Sequence, residues 1–291
     1  SAASDVYKRQ SMYPAGAAVS QVWTNNVQGV KCNTQTSTGS FQNCQDVSTG
    51  EVDVAVATSD VVLNAYNGTG KFADIGKLDN LRVIGAVYTS VLSGVALKSS
   101  GLTYINELLG KRVAVGPAAS ATENATLPAF DVMGIDSSNT SLENLGLGDG
   151  ADSVGDGILD AAFGFAGLPI GGQLNLAATK EIQVLDMTQE EIDKVLAGNA
   201  AYIQTKIPAG TYTGQDNDAN TFGVKCLIIV TADMDADLVY DLCKAMNEHT
   251  EELAAGNALL KDMTDPSFLC TQMPIPLHDG AQKYYSEQGL I

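Results

Sequence analysis

Small hydroxylated residues gather at two places where an extended run gives way to a helix. One is Lys111-Arg112-Val113-Ala114-Val115-Gly116-Pro117-Ala118-Ala119-Ser120-Ala121-Thr122-Glu123-Asn124. The other runs from Val30 through Thr34, Thr36, Ser37, Thr38 and Gly39 to Ser40. The first turn of a helix leaves backbone N–H groups unpaired and carries partial positive charge, so it holds a carboxylate or phosphate without a cationic side chain. Ser40 and Thr122 at such starts either cap the helix or donate to a bound anion. The chemistry suggested is capture of one small anionic or zwitterionic ligand. Two such half-sites, far apart in the chain, predict a cleft that closes on it.

Other chemistries find less support. The only arginines are Arg9, Arg82 and Arg112, so no arginine cluster is on offer for an anion. Arg112 is expected at the far end of its strand, paired on the surface. His249 and His278 stand in a helix and in a Pro-Leu-His turn, with no G-x-S-x-G nucleophile motif nearby. Gly146-Leu147-Gly148-Asp149-Gly150 has the wrong spacing for a dinucleotide fingerprint, and the surrounding Gly/Asp-rich stretch lacks the ligand order of an EF-hand. No catalytic residues, metal site or cofactor are expected, and the chain is not read as an enzyme. The five cysteines, Cys32, Cys44, Cys226, Cys243 and Cys270, are odd in number and show no C-x-x-C spacing. Cys226 and Cys243 fit a core; Cys32 and Cys44 flank the first polar loop, where an oxidising compartment could join them.

The elements that must position these residues follow from length and pattern. A chain of 291 residues suggests about two domains, and 45% hydrophobic with 17% charged residues fits a folded protein. No apolar run reaches the roughly 18 residues of a membrane span. A net charge of −18 disfavours nucleic acid and anionic membranes through long-range repulsion. Helical spacing marks 15–24, with Trp23 in the core, and a strand is expected at Val30–Asn33. Val52–Ala57 reads as a strand leading to the polar start Thr58-Ser59-Asp60. Leu81–Leu97 holds two apolar runs joined near Tyr88, and Lys111–Gly116, Ile158–Phe165 and Ile182–Leu185 add further strands. Val224–Val230 reads as a fully apolar strand, and Asp235 caps the helix whose stripe is Leu238, Val239, Leu242, Met246 and Leu253. Strands alternating with helices indicate an α/β protein.

Taken together, the segments resemble the TAXI family of extracytoplasmic solute-binding proteins of tripartite ATP-independent periplasmic (TRAP) transporters. The likeness rests on Ser11-Met12-Tyr13-Pro14-Ala15-Gly16, Ser37-Thr38-Gly39-Ser40, Thr49-Gly50-Glu51-Val52-Asp53, Ser59-Asp60 and Tyr66-Asn67-Gly68-Thr69-Gly70. It continues through Gly110-Lys111-Arg112-Val113, Gly116-Pro117 with Ser120 and Thr122-Glu123, and Ile207-Pro208-Ala209-Gly210-Thr211-Tyr212. Gly214-Gln215-Asp216 and Pro274-Ile275-Pro276-Leu277-His278 complete it. The single motifs are weak; their order and number from Ser11 to Leu290 carry the assignment.

The resemblance implies an α/β, two-lobed periplasmic-binding-protein fold of the second type, each lobe a mixed sheet flanked by helices. Lobe one would hold residues 11–94 and 221–291, lobe two residues 95–220, with small residues near Ser93-Gly94 and Thr221-Gly223 as hinges. Family members open on a strand and a glycine-rich turn, whereas residues 1–10 have no glycine and no apolar period. A truncated or foreign start is expected there, with the central strand of lobe one missing or poorly formed.

Expected ligand contacts are Tyr13, Thr38, Ser40, Ser59 and Tyr88 from lobe one, and Ser120, Thr122, Phe165, Ala166 and Gly167 from lobe two. Hydroxyls and backbone amides would take a carboxylate, aromatic rings would wall out water, and Gly167 would allow close backbone approach. Tyr88 and Phe165 read equally as core. Glu123 either steadies its helix start or meets a ligand amine. The resemblance implies a small organic or amino acid of the glutamate, glutamine or 2-oxoglutarate class, a monomer in the periplasm or otherwise outside the cytoplasm, and delivery to a TRAP membrane permease. The alternative is a binding protein that senses the same ligand and reports to a membrane receptor.

Overall fold

A computed structural model describes residues 2–35, 37, 39–118 and 120–291, and side chains from Met12 onward. The chain opens on α1 (Ala2–Asn26), α2 (Ser40–Thr49), β1 (Ala55–Thr58) and α3 (Ser59–Asn67), followed by the long strand β2 (Leu81–Leu97). Next come β3 (Arg112–Ala114), α4 (Ala121–Val132), β4 (Ser141–Glu143), α5 (Leu147–Gly155), β5 (Ala161–Ala166), α6 (Gly171–Thr179), β6 (Ile182–Val184) and α7 (Gln189–Gly198). β7 (Ile203–Ile207), β8 (Ala219–Thr231), α8 (Ala236–Glu248), α9 (Thr250–Gly256) and α10 (Asp279–Glu287) complete it. Contacts divide the chain into an inserted unit, residues 90–223, and a flanking unit, residues 7–89 with 224–291; the segment up to Val6 groups with the inserted unit. None of the described helices is long and apolar enough to cross a membrane.

In the flanking unit β1 runs antiparallel to the second half of β8, with Ala55 opposite Ile229 and Thr58 opposite Cys226. Two apolar layers enclose these strands. One gathers Val19, Val22, Trp23, Ile84 and Tyr88 with the buried stripe Val239, Leu242, Cys243 and Met246 of α8. That stripe has the i, i+3, i+4, i+7 spacing of a helix face, and Asp235 caps its start by accepting from the Leu238 amide. The Trp23 indole donates to the Leu242 carbonyl at 3.0 Å, so the one polar atom of that ring is satisfied inside the core. The other layer holds Cys44, Val47, Val62, Ala65, Phe72 and Leu81. α3 ends at Gly68, whose φ of 66° is the left-handed cap that lets its amide reach Ala65.

In the inserted unit the second half of β2 pairs antiparallel with β5, Val91 opposite Ala166 and Val95 opposite Ala162, and with β6. β3 lies parallel to both β5 and β4. β7 pairs antiparallel with the first half of β8, Ile203 opposite Gly223. The result is a mixed sheet with helices against it. Gly94 is required in β2 because a side chain there would meet the Phe163 ring at 2.5 Å.

Three sequence expectations need correction. Val30–Asn33 is not a strand: the chain there is irregular, and the Cys32 amide donates to Thr24 Oγ1 of α1 at 3.1 Å instead of to a neighbouring strand. The helix expected at 15–24 extends from Ala2 to Asn26, with Pro14 inside it. The strand read as wholly apolar buries Lys225, 3% exposed, whose ammonium donates to the carbonyls of Phe268 and Thr271, each at 2.8 Å, and lies over the Phe268 ring. None of the five cysteines is in a disulfide, Cys32 and Cys44 included.

Candidate functional site

The inserted unit gathers five of the expected residues at the start of α4 and the end of β5. Ser120 is the N-cap of α4, with its hydroxyl accepting from the Glu123 amide at 3.2 Å. Thr122 lies in the first turn, 4% exposed, and its hydroxyl accepts from the Phe165 amide at 3.1 Å. Phe165, Ala166 and Gly167 therefore leave β5 beside the first turn of α4. Gly116 makes this approach possible. Its φ is +89°, and a Cβ there would sit 2.5 Å from Thr122 Cβ. Asn144 ties the rim together, donating to the Gly116 carbonyl at 2.9 Å and to Glu123 Oε1 at 2.8 Å. Each hydroxyl accepts an N–H, and a hydroxyl that accepts can also donate its own proton, which is what a carboxylate oxygen needs.

Phe165 is 7% exposed and its ring lies 6.3 Å from that of Phe222, so it is packed as core. Behind it the exit segment is fixed from its other end. The Tyr212 hydroxyl accepts from the Ile170 amide at 3.0 Å and donates to Gln173 Oε1 at 2.9 Å. Burial pushes the Tyr212 phenol up to about 12.

In the flanking unit Ser40 is the first residue of α2, and Gly39 takes the N-cap position without a side chain to offer. The Ser40 hydroxyl accepts from the Thr58 amide at 3.1 Å and from the Thr58 hydroxyl at 3.4 Å. Ser59, the next residue, opens α3 and is 2% exposed. Two helix starts are thereby joined through Thr58. Tyr13 lies 42% exposed on α1, while Tyr88, 2% exposed, belongs to the Trp23 layer. Thr38 lies outside the described residues.

The electrostatics favour neutral donors. Arg82 is engaged by the carbonyls of Asp79 and Leu81, and Arg112 pairs with Asp160 at 3.2 Å on the surface, as its position at the strand end implies. The Asp160 hydrogen bond raises the Arg112 pKa. Cys44, one turn into α2, is pushed up to about 12, first by burial and then by the Asp60 carboxylate, so it is a protonated thiol at neutral pH. Among the described residues no group of three or more His, Cys, Asp or Glu side chains is placed to hold a metal.

A polar hollow of about 330 Å³ lies elsewhere in the inserted unit, lined by Lys98, Thr103, Gln183, Asp186, Asp216 and Asn217 among others. None of the expected site residues lines it. Two of its three acids are already in use: Asp186 accepts from the amides of Met187 and Asn220, and Asp218 holds Lys206 and the Ala209 amide.

Sequence reasoning did not single out Thr58, Asn144, Tyr212 or Gln173 for these roles. Tyr212 stood in a recognised motif without an assigned task. Asn144 carried no signal, since its bonds span 28 and 21 residues of chain.

The sequence pattern of the NMT1-like family matches residues 9–289. The chain belongs to the NMT1-like family. Solved structures of the same fold accompany this NMT1-like chain at low identity. A TctC solute-binding protein from Polaromonas is 14% identical, with 96% of this chain and 93% of that one covered at a TM-score of 0.56. A putative sulfonate ABC transporter's periplasmic sulfonate-binding protein, SsuA from Methylobacillus flagellatus KT, is 14% identical over 95% and 80%, with a TM-score of 0.53. PhnD1 from Prochlorococcus marinus, in complex with methylphosphonate, is 11% identical over 95% and 93%, with a TM-score of 0.52. The NMT1-like chain thus has the mixed α/β fold of two-lobed periplasmic binding proteins.

Proposed function

We propose that this protein captures a small organic or amino acid outside the cytoplasm and delivers it to a membrane permease, without chemical turnover. The observation that carries the reading is the convergence at α4: a helix start, the Ser120 and Thr122 hydroxyls, and the end of β5 meet around Gly116. A helix start of this kind holds an anion with backbone dipoles and O–H donors. The two described arginines are engaged elsewhere, which fits recognition by neutral groups. The related folds include a sulfonate-binding protein and one holding methylphosphonate, both small acids.

The finer reading is a TAXI-type protein serving a TRAP permease, with a ligand of the glutamate, glutamine or 2-oxoglutarate class. It draws on the ordered motifs of the sequence. The two units would act as lobes, and the ligand would drive closure because it contacts the half-sites more fully in the closed form; equal affinity for both forms would shift nothing. Net charge does not oppose this, since screened distant charges count for less than dipoles at contact.

The test is a thermal-shift panel of L-glutamate, L-glutamine, 2-oxoglutarate, ethanesulfonate and methylphosphonate. A ligand at a hundredfold excess over its Kd stabilises by about 2.7 kcal/mol. Stabilisation by a member of the glutamate class supports the reading. Stabilisation by the sulfonate or phosphonate alone contradicts the ligand class, and turnover of any panel member contradicts capture.

A further inference from the structure

The segment Phe165–Ile170 contains three expected ligand contacts, Phe165, Ala166 and Gly167, and is held at both ends by hydroxyls from distant parts of the inserted unit. At its start the Phe165 amide donates to Thr122 Oγ1 at 3.1 Å; at its end the Ile170 amide donates to the Tyr212 hydroxyl at 3.0 Å. Between these two points only the Ala166 register with Val91 belongs to the sheet. The remainder has left the strand and precedes α6, so its path depends on the pins.

The Tyr212 pin is itself braced. Tyr212 is 1% exposed and donates to Gln173 Oε1, which also accepts from Ser93 Oγ at 2.6 Å. Gln173 in turn donates to the Ser93 carbonyl at 2.8 Å. Ser93 lies on β2 and is fully buried, and Gln173 is 2% exposed. Each side-chain polar atom in this chain of bonds is satisfied, which makes a buried network rigid instead of costly. The turn that supplies Tyr212 is closed on itself, with the Gln215 amide donating to the Tyr212 carbonyl and the Gly210 amide to the Gln215 carbonyl. The motif Ile207-Pro208-Ala209-Gly210-Thr211-Tyr212 thus delivers one phenol to one backbone amide.

We propose that Tyr212 is a positioning residue for ligand capture: its hydroxyl, braced by Gln173 and Ser93, fixes the backbone through Ala166 and Gly167 in the binding-competent path. The inference rests on the reading that this segment contacts ligand. It acts through the Ile170 amide and does not place Tyr212 against the ligand.

Tyr212→Phe keeps the buried ring and removes the bridging oxygen. Amide exchange read by NMR on the full chain is expected to quicken at least about tenfold at Ile170. Exchange in β6, at Val184, is expected to hold. Affinity for L-glutamate, or for the panel member that stabilises the wild type best, is expected to fall about tenfold by calorimetry. Val184→Ala, a cavity in the same apolar cluster, serves as the control for mere destabilisation and is expected to leave affinity unchanged. Unchanged exchange at Ile170 overturns the positioning role whatever the ligand. Quickened exchange with unchanged affinity also overturns it, as does an equal affinity loss in Val184→Ala. Absence of binding by the wild type to every panel member instead overturns the reading beneath it, and the inference with it.

Discussion

At the start of α4 two hydroxyls already serve the protein, whereas the start of α2 has a capping position with nothing to give. Ser120 and Thr122 accept the amides of Glu123 and Phe165, so what they offer a ligand is their own O–H protons. At α2 the N-cap is Gly39, and the Ser40 hydroxyl turns to Thr58, so the first-turn amides there are not claimed by the capping residue. A helix start can therefore serve an anion in two ways. In the proposed site the inserted unit would supply hydroxyl donors on a tightly crowded frame, and the flanking unit backbone donors on an open one. Crowding is measurable: a Cβ on Gly116 meets Thr122 at 2.5 Å, and one on Gly39 meets nothing within 4 Å.

The largest expected effect breaks the crowded half. Gly116→Ala forces a side chain into a φ of +89° and into Thr122, and should cost about 3 kcal/mol in urea unfolding. Gly39→Ala meets strain alone, at a φ of +133°, and should cost about 1 kcal/mol. Equal costs would remove the contrast. Thr122→Val leaves the buried Phe165 amide without its acceptor, worth about 1–3 kcal/mol, while Ser40→Ala at the half-buried Thr58 amide should fall near the lower end of that range. Ser120→Ala removes an ordinary cap, about 1 kcal/mol.

Replacing Ser120 and Thr122 together by Ala bears on the unliganded protein as well as on binding. The structure gives both hydroxyls bonds of their own, so the double variant must melt earlier even without ligand.

A further effect, read against pH, concerns Lys225. Burial pulls its pKa down from 10.5 to about 8. Below pH 8 the amine is charged in both states and the penalty for burying it is complete. Between about pH 8 and 10.5 the unfolded chain holds the proton that the folded one releases, so folding stability rises with pH across that window. Subtracting the profile of Lys225→Met isolates the slope. A flat difference over this range would contradict the assignment.

How much of this was written in the sequence differs by element. The α8 stripe as far as Met246 and its Asp235 cap were legible because both are local patterns of spacing and hydrogen bonding, but Leu253, expected on the same helix, lies on α9. The caps of α4 and α2 were misplaced: the sequence pointed to Thr122 and Ser40, whereas Ser120 and Gly39 hold those positions, because a run of small polar residues does not mark which of them precedes the first helical turn. Val30–Asn33 misled because a short apolar-polar run gives no sign of whether a partner strand exists, and here the Cys32 amide goes to α1. Lys225 was overlooked inside an apolar run whose carbonyl partners come from 43 and 46 residues away. The Thr122–Phe165 and Tyr212–Ile170 bonds span 43 and 42 residues. No local pattern encodes such bonds; only the folded sheet brings their ends together.

A crystal structure of the full chain grown with L-glutamate tests the central claim most directly. The account predicts a ligand carboxylate within hydrogen-bond reach of the Ser120 or Thr122 hydroxyl and the first-turn amides of α4. Density instead against Lys98, Asp186 and Asp216, with the start of α4 untouched, would contradict it.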